Sequence, residues 1–161
     1  MFRGLLVAMA SGFLSVPSVV APAYTAAAIL DGVDGLIARC ARRETLLGSN
    51  FDVEVDAAGI LVASFGGILL GKLPLGYAAV GLARYLFTLG IAARKRAGKP
   101  VRDLDPSPLR RLLAGIQMGF LATALWPPVP RALTVAAAYP FGAATLIMFL
   151  RDWLFVSQRL R

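Results

Sequence analysis

DGVDGLIARCARRETLLGSNFDVEVD, Asp31 to Asp56, sets four carboxylates, one arginine and two glycines at fixed spacing in a chain that is otherwise mostly hydrocarbon. Carboxylates are costly in a bilayer, so a cluster of them between apolar runs marks chemistry. The fixed positions are Asp31, Asp34, Gly35, Ala38, Arg39, Gly48, Asp52 and Asp56. On a helix Asp31 and Asp34, three apart, share a face. Asp52 and Asp56, four apart, do the same, with Gly48 one turn earlier. The polar segment Cys40 to Leu47 turns the chain between two such helices. Measured from that turn, Asp34 and Asp52 lie ~8 Å in, and Asp31 and Asp56 ~12 to 14 Å in. Two antiparallel helices thus bring four carboxylates to one level.

The rest of the chain sets the environment. With 161 residues, 58% hydrophobic, and a mean hydropathy of +0.70, it is too apolar for a soluble domain. It has length for about five or six spans of ~20 residues. Apolar runs occupy roughly Leu5 to Leu14, Val19 to Ala38, Leu46 to Leu70, Leu75 to Ala93, Leu112 to Trp126 and Ala132 to Val156, punctuated by Pro17, Gly71, Pro74, Gly98, Pro100 and Pro127. The expected fold is an all-α polytopic transmembrane bundle, residues 1–161 forming one domain of six segments. The first segment reaches only ~15 Å as a helix, half a hydrocarbon core. It is expected either to be a shortened helix propped against its neighbours or to be the end of a longer one. Its removal as a signal peptide would cripple the helix that carries the motif.

The net charge of +8 does not point to nucleic acid, because no basic stripe is interleaved with aromatics and the charges fall between apolar runs. They act instead as topology signals. Arg42, Arg43, Arg94, Lys95, Arg96, Lys99, Arg102, Arg110, Arg111, Arg159 and Arg161 share the side of the motif loop, against Lys72 and Arg131 opposite. The positive-inside rule puts both termini and the motif in the cytoplasm, in a multi-pass protein of the cell membrane. Trp126 and Trp153 then fall near opposite interfaces. Cys40 alone excludes an internal disulfide and reads as packing, and the absence of histidine excludes imidazole catalysis and ligation.

Four anions under the membrane surface would be protonated unless cations compensated them. Oxygen-only ligands select a hard divalent ion, Mg²⁺ or Mn²⁺, and two such ions suit four shared carboxylates. DGVDG also reads as an ordinary turn, and an aspartate at a helix end as a cap, but either explains one carboxylate rather than four at matched depth. The stretch lacks the ligand alternation of an EF-hand. Two metals beside an arginine suit a diphosphate. Gly35 clears space for a base or phosphate, Ala38 keeps the helix contact tight, and Arg39 can fork onto a phosphate.

This pattern resembles the signature of the CDP-alcohol phosphotransferase (CDP-alcohol phosphatidyltransferase) superfamily, and within it the phosphatidylglycerol-phosphate and phosphatidylinositol-phosphate synthases. The resemblance implies a membrane enzyme of phospholipid biosynthesis that uses two Mg²⁺ or Mn²⁺ ions. Asp31, Asp34 and Asp52 resemble its metal ligands. Asp56 resembles both a ligand of the second metal and the catalytic base that deprotonates the acceptor hydroxyl. Gly35 and Arg39 resemble donor-nucleotide contacts, as does Thr45 in some members. Thr45 lies in the variable spacer and reads equally well as a helix cap. Members usually carry a longer first helix with polar residues, from which this chain departs.

The acceptor side rests on arginines. Arg84 lies within an apolar run ~15 Å along its helix from the cytoplasmic loop, where it needs either an interface to snorkel to or an anion in a cavity. Arg110 and Arg111 start the fifth segment, and Arg151 lies near the cytoplasmic end of the sixth. Arg84, Arg111 and Arg151 exceed what the donor requires and suit a polyol phosphate. The expected reaction transfers a phosphatidyl group from a CDP-diacylglycerol-type donor to glycerol 3-phosphate, or second to an inositol phosphate, releasing CMP. Serine as acceptor, a CDP-choline or CDP-ethanolamine donor, and a divalent cation transporter are the alternatives. Arg39 beside the cation ligands argues against transport. The resemblance also includes homodimers among the expected assemblies, although no stretch of the sequence marks an interface.

Overall fold

The computed structural model describes residues 12, 16–41, 46–104 and 107–158, of which residues 17, 31–32, 34–41 and 46–52 are described by their main chain alone. The described residues form five α-helices and no strand: α1 (Pro17–Ala41), α2 (Leu46–Leu69), α3 (Ala78–Arg96, preceded by a 3₁₀ turn at Leu75–Tyr77), α4 (Pro108–Ala124) and α5 (Arg131–Val156). They fall on the second to sixth expected segments. The expected first segment, Leu5 to Leu14, lies outside the described residues apart from Gly12.

The chain breaks where its chemistry forbids a helix. Gly71 (φ +66°) and Gly98 (φ +64°) turn the chain after α2 and α3 in the left-handed region open to glycine. Pro108 opens α4 one turn earlier than the apolar run suggested, because a proline at the first helical position gives up no hydrogen bond.

Leu75–Arg96 and Arg131–Val156 are long and apolar enough to cross a bilayer. The outside of the bundle is greasy: Leu75 is 79% exposed, and Leu69, Leu86, Leu89, Leu133 and Ile147 are each more than half exposed. The inside is small and partly polar, with Ala21, Ala63, Ala124 and Ala138 buried alongside Ser64, Gln117 and Thr134. Such a distribution suits lipid as solvent, where small residues let helices approach and interior polar groups bond across them.

Helix α2 packs most extensively on α3, α1 on α4, and α5 on both α3 and α4. The α2–α3 crossing is close at Gly81, where a Cβ would stand 3.1 Å from Ser64 Cβ and 3.3 Å from Leu61 Cα. Gln117 donates to Tyr77 Oη and accepts from Thr145 at 3.0 Å, tying α4 to the 3₁₀ turn and to α5. The α2–α3 and α4–α5 loops are joined by Lys72, whose Nζ donates to the carbonyls of Trp126 (3.2 Å), Pro127 (3.0 Å) and Val129.

Candidate active site

Helix α1 runs unbroken through Asp31, Asp34, Gly35, Ala38 and Arg39 to Ala41, and α2 carries Gly48, Asp52 and Asp56 within its first eleven residues. DGVDG is therefore helix interior and not a turn. The i, i+3 and i, i+4 spacings place the two aspartate pairs each on one helix face. Thr45 lies outside the described residues, as do the side chains of Asp31, Asp34, Arg39 and Asp52.

Asp56 is the motif carboxylate whose surroundings are described. It is half-buried, and its Oδ1 is closed off from solvent. It lines a cavity of about 10 Å³ between Tyr24, Ala27 and Ala28 on α1, Val55 and Gly59 on α2, and Met118 on α4. Ala27 lies one turn before Asp31 on α1. The wall opposite Asp56 is thus the turn of α1 next to the one bearing Asp31. Ala27, Ala28 and Gly59 present little bulk at this crossing, so the two main chains can approach.

The expected acceptor arginines are dispersed. Arg84 on α3 donates to Glu54 Oε1 on α2 at 3.0 Å, forming a partly exposed ion pair. Glu54 is two residues from both Asp52 and Asp56, about 200° around the helix from either. The structure therefore gives Arg84 a carboxylate of the chain as partner, on the face of α2 turned away from Asp56. Arg111 and Arg151 are exposed. Between them in the fold, Arg110 pairs with Asp152 at 3.2 Å across α4 and α5. Both Arg111, near the start of α4, and Arg151, near the end of α5, stand at the end of the bundle where α1 finishes and α2 begins.

Sequence reasoning passed over Glu54 and Tyr24. Glu54 interrupts the acidic pattern and announces itself only through its partner on another helix. Tyr24 precedes Asp31 by seven residues, two turns on the same face, a spacing that marks the face it shares but not the burial of its hydroxyl.

No group of three or more acidic or thiol ligands converges among the described residues, which include one motif carboxylate side chain. A family model described as CDP-alcohol phosphatidyltransferase matches residues 1–155. No curated protein and no solved structure matches the chain.

Proposed function

The chain belongs to the CDP-alcohol phosphatidyltransferase family, and on that footing we propose that it transfers a phosphatidyl group from a CDP-diacylglycerol-type donor to a polyol phosphate, releasing CMP. The observation that carries the reading is the complete acidic motif on two helices whose facing turns meet at Asp56. Family membership and the apolar outer surface associate the protein with a membrane. The motif end of the bundle also carries Arg94, Lys95, Arg96, Lys99 and Arg102, so we place it in the cytoplasm.

The donor set fits hard divalent ions: Asp31, Asp34, Asp52 and Asp56 are all oxygen ligands, carried by two successive helices. Mg²⁺ or Mn²⁺, when bound there, would neutralise the donor's diphosphate. Gly35 leaves room for the donor to approach α1. Arg39, one turn on, offers a planar fork to a phosphate. Asp56 takes the proton of the acceptor hydroxyl. The oxygen so freed forms a bond to the phosphatidyl phosphorus, the anhydride bond breaks, and its electron pair leaves on CMP.

For the acceptor we propose glycerol 3-phosphate first and an inositol phosphate second. A dianion gains from the cations Arg111 and Arg151 at the motif end, whereas inositol or serine needs none of them. Arg84 would join this set by exchanging Glu54 for the phosphate. Purified protein in detergent with Mg²⁺ and CDP-diacylglycerol should release CMP when glycerol 3-phosphate is added. Preference for free serine or inositol would overturn the acceptor, and no CMP release with any alcohol would overturn the reaction.

A further inference from the structure

Tyr24 takes no part in the proposed reaction, yet its position is unusual. The side chain is 2% exposed, and its hydroxyl, closed off from solvent, has no hydrogen-bond partner among the described residues. A buried phenol ordinarily finds one, because an unpaired hydroxyl in an apolar site carries its full desolvation cost. Tyr24 lines from α1 the same cavity that Asp56 lines from α2, and the other walls are alanine, valine, glycine and methionine. Among the described residues lining that cavity, the Asp56 carboxylate is the acceptor side chain suited to the phenol. At about 10 Å³ the space admits a single water and no substrate.

We propose that the Tyr24 hydroxyl donates a hydrogen bond to one water that bridges it to the Asp56 carboxylate, and so fixes the carboxylate's orientation for accepting the acceptor's proton. The hydroxyl keeps its own proton throughout and touches no substrate, so Tyr24 is a positioning residue. One of the carboxylate oxygens is then held from the deep side, beneath the turn that bears Asp31. The other is left toward the substrates. A tyrosine kept only for bulk would be replaceable by phenylalanine without consequence. The proposal rests on the reading of Asp56 as the base for its effect on turnover, but the hydrogen bond itself does not.

Tyr24→Phe, Asp56→Ala and the double variant form a cycle read by thermal unfolding in detergent. Tyr24→Phe keeps the ring and with it the packing of α1 on α4. The expected result is coupling, the double variant losing or gaining clearly less than the sum of the single shifts. Tyr24→Phe should also lower kcat roughly tenfold while leaving the donor KM unchanged, the mark of an interaction that serves the chemical step. Additive unfolding shifts, or an unchanged kcat, would overturn the proposal. Asp56→Asn separates the two readings: if that variant turns over normally, the base assignment fails, and the unfolding cycle still reports whether Tyr24 and Asp56 interact.

Discussion

The α1–α2 hairpin and the α3–α5 bundle are held together by different means. In the bundle, Trp153 lies against Gly90, where a Cβ would stand 2.7 Å from the ring, and Phe87 packs between Phe149 and Trp153 at 5.9 and 6.2 Å. Phe120 stacks on Phe141 at 4.8 Å, and Gln117 bridges Tyr77 and Thr145. Between α1 and α2, Ala27, Ala28 and Gly59 stand with Tyr24, Val55 and Asp56 around a water-sized cavity. The hairpin takes its position from outside, α2 from α3 and α1 from α4. The aromatic contacts of the bundle thus lie apart from the motif carboxylates, and substitutions in the two regions should have different consequences.

The largest effect concerns the hairpin alone. Removing divalent ions with EDTA should abolish CMP release and leave the helical circular dichroism intact, since the described bundle contacts are aromatic packing and side-chain hydrogen bonds. Full activity in excess EDTA would refute the two-metal reading. Next, Asp56→Asn should lower kcat by about 10² to 10⁴, the usual worth of a positioned base. Its unfolding midpoint should hold, and a variant that keeps more than about a tenth of normal turnover would remove Asp56 from that role.

Arg84→Ala tests the border between the regions. Loss of a charged hydrogen bond to an acceptor phosphate, on the order of 1.5 to 3 kcal/mol, should appear in kcat/KM for the acceptor with the donor KM little changed. The partly exposed pair with Glu54 contributes only about 0 to 1 kcal/mol to stability, so folding should barely respond. Unchanged acceptor kinetics would leave Arg84 as the partner of Glu54 and nothing more. Gly81→Val should do the reverse. The added carbons meet Leu61 Cα, which cannot rotate aside, and overpacking of this kind costs about 1 to 3 kcal/mol. Thermal unfolding should show that loss, and activity should fall only as far as folded protein does. A Gly81→Val protein of normal stability would mean that α2 does not depend on α3 for its place.

The five described helices were legible because their ends are written locally: glycine at 71 and 98, Pro108 after the turn-rich stretch, and the polar break after Ala41. The depth matching of Asp31 with Asp56 is an expectation from helical rise and a short connection, and the described cavity sets Asp56 against Ala27 and Ala28, one turn from Asp31. Partnerships across helices were not legible. Arg84 with Glu54, Arg110 with Asp152 and Trp126 Nε1 with Thr25 Oγ1 join residues 30, 42 and 101 positions apart, and no spacing rule relates them. Lys72, read as a topology charge on the far side, is also a fastener. Tyr24 read as one more apolar residue in an apolar run, because nothing in sequence says that its hydroxyl is closed off beside Asp56.

Lys72 has a practical consequence. The chain has three lysines, and Lys95 and Lys99 stand exposed around the turn after α3. The three donors of the Lys72 ammonium all meet main-chain carbonyls at Trp126, Pro127 and Val129. An acylating reagent needs an amine free to turn toward it, and this one is held by three carbonyls while the two loops remain in contact. A short pulse of such a reagent on folded protein should mark Lys95 and Lys99 and spare Lys72. Labelling of Lys72 would then report the parting of the α2–α3 and α4–α5 loops, giving a chemical clock for that end of the molecule that does not depend on turnover.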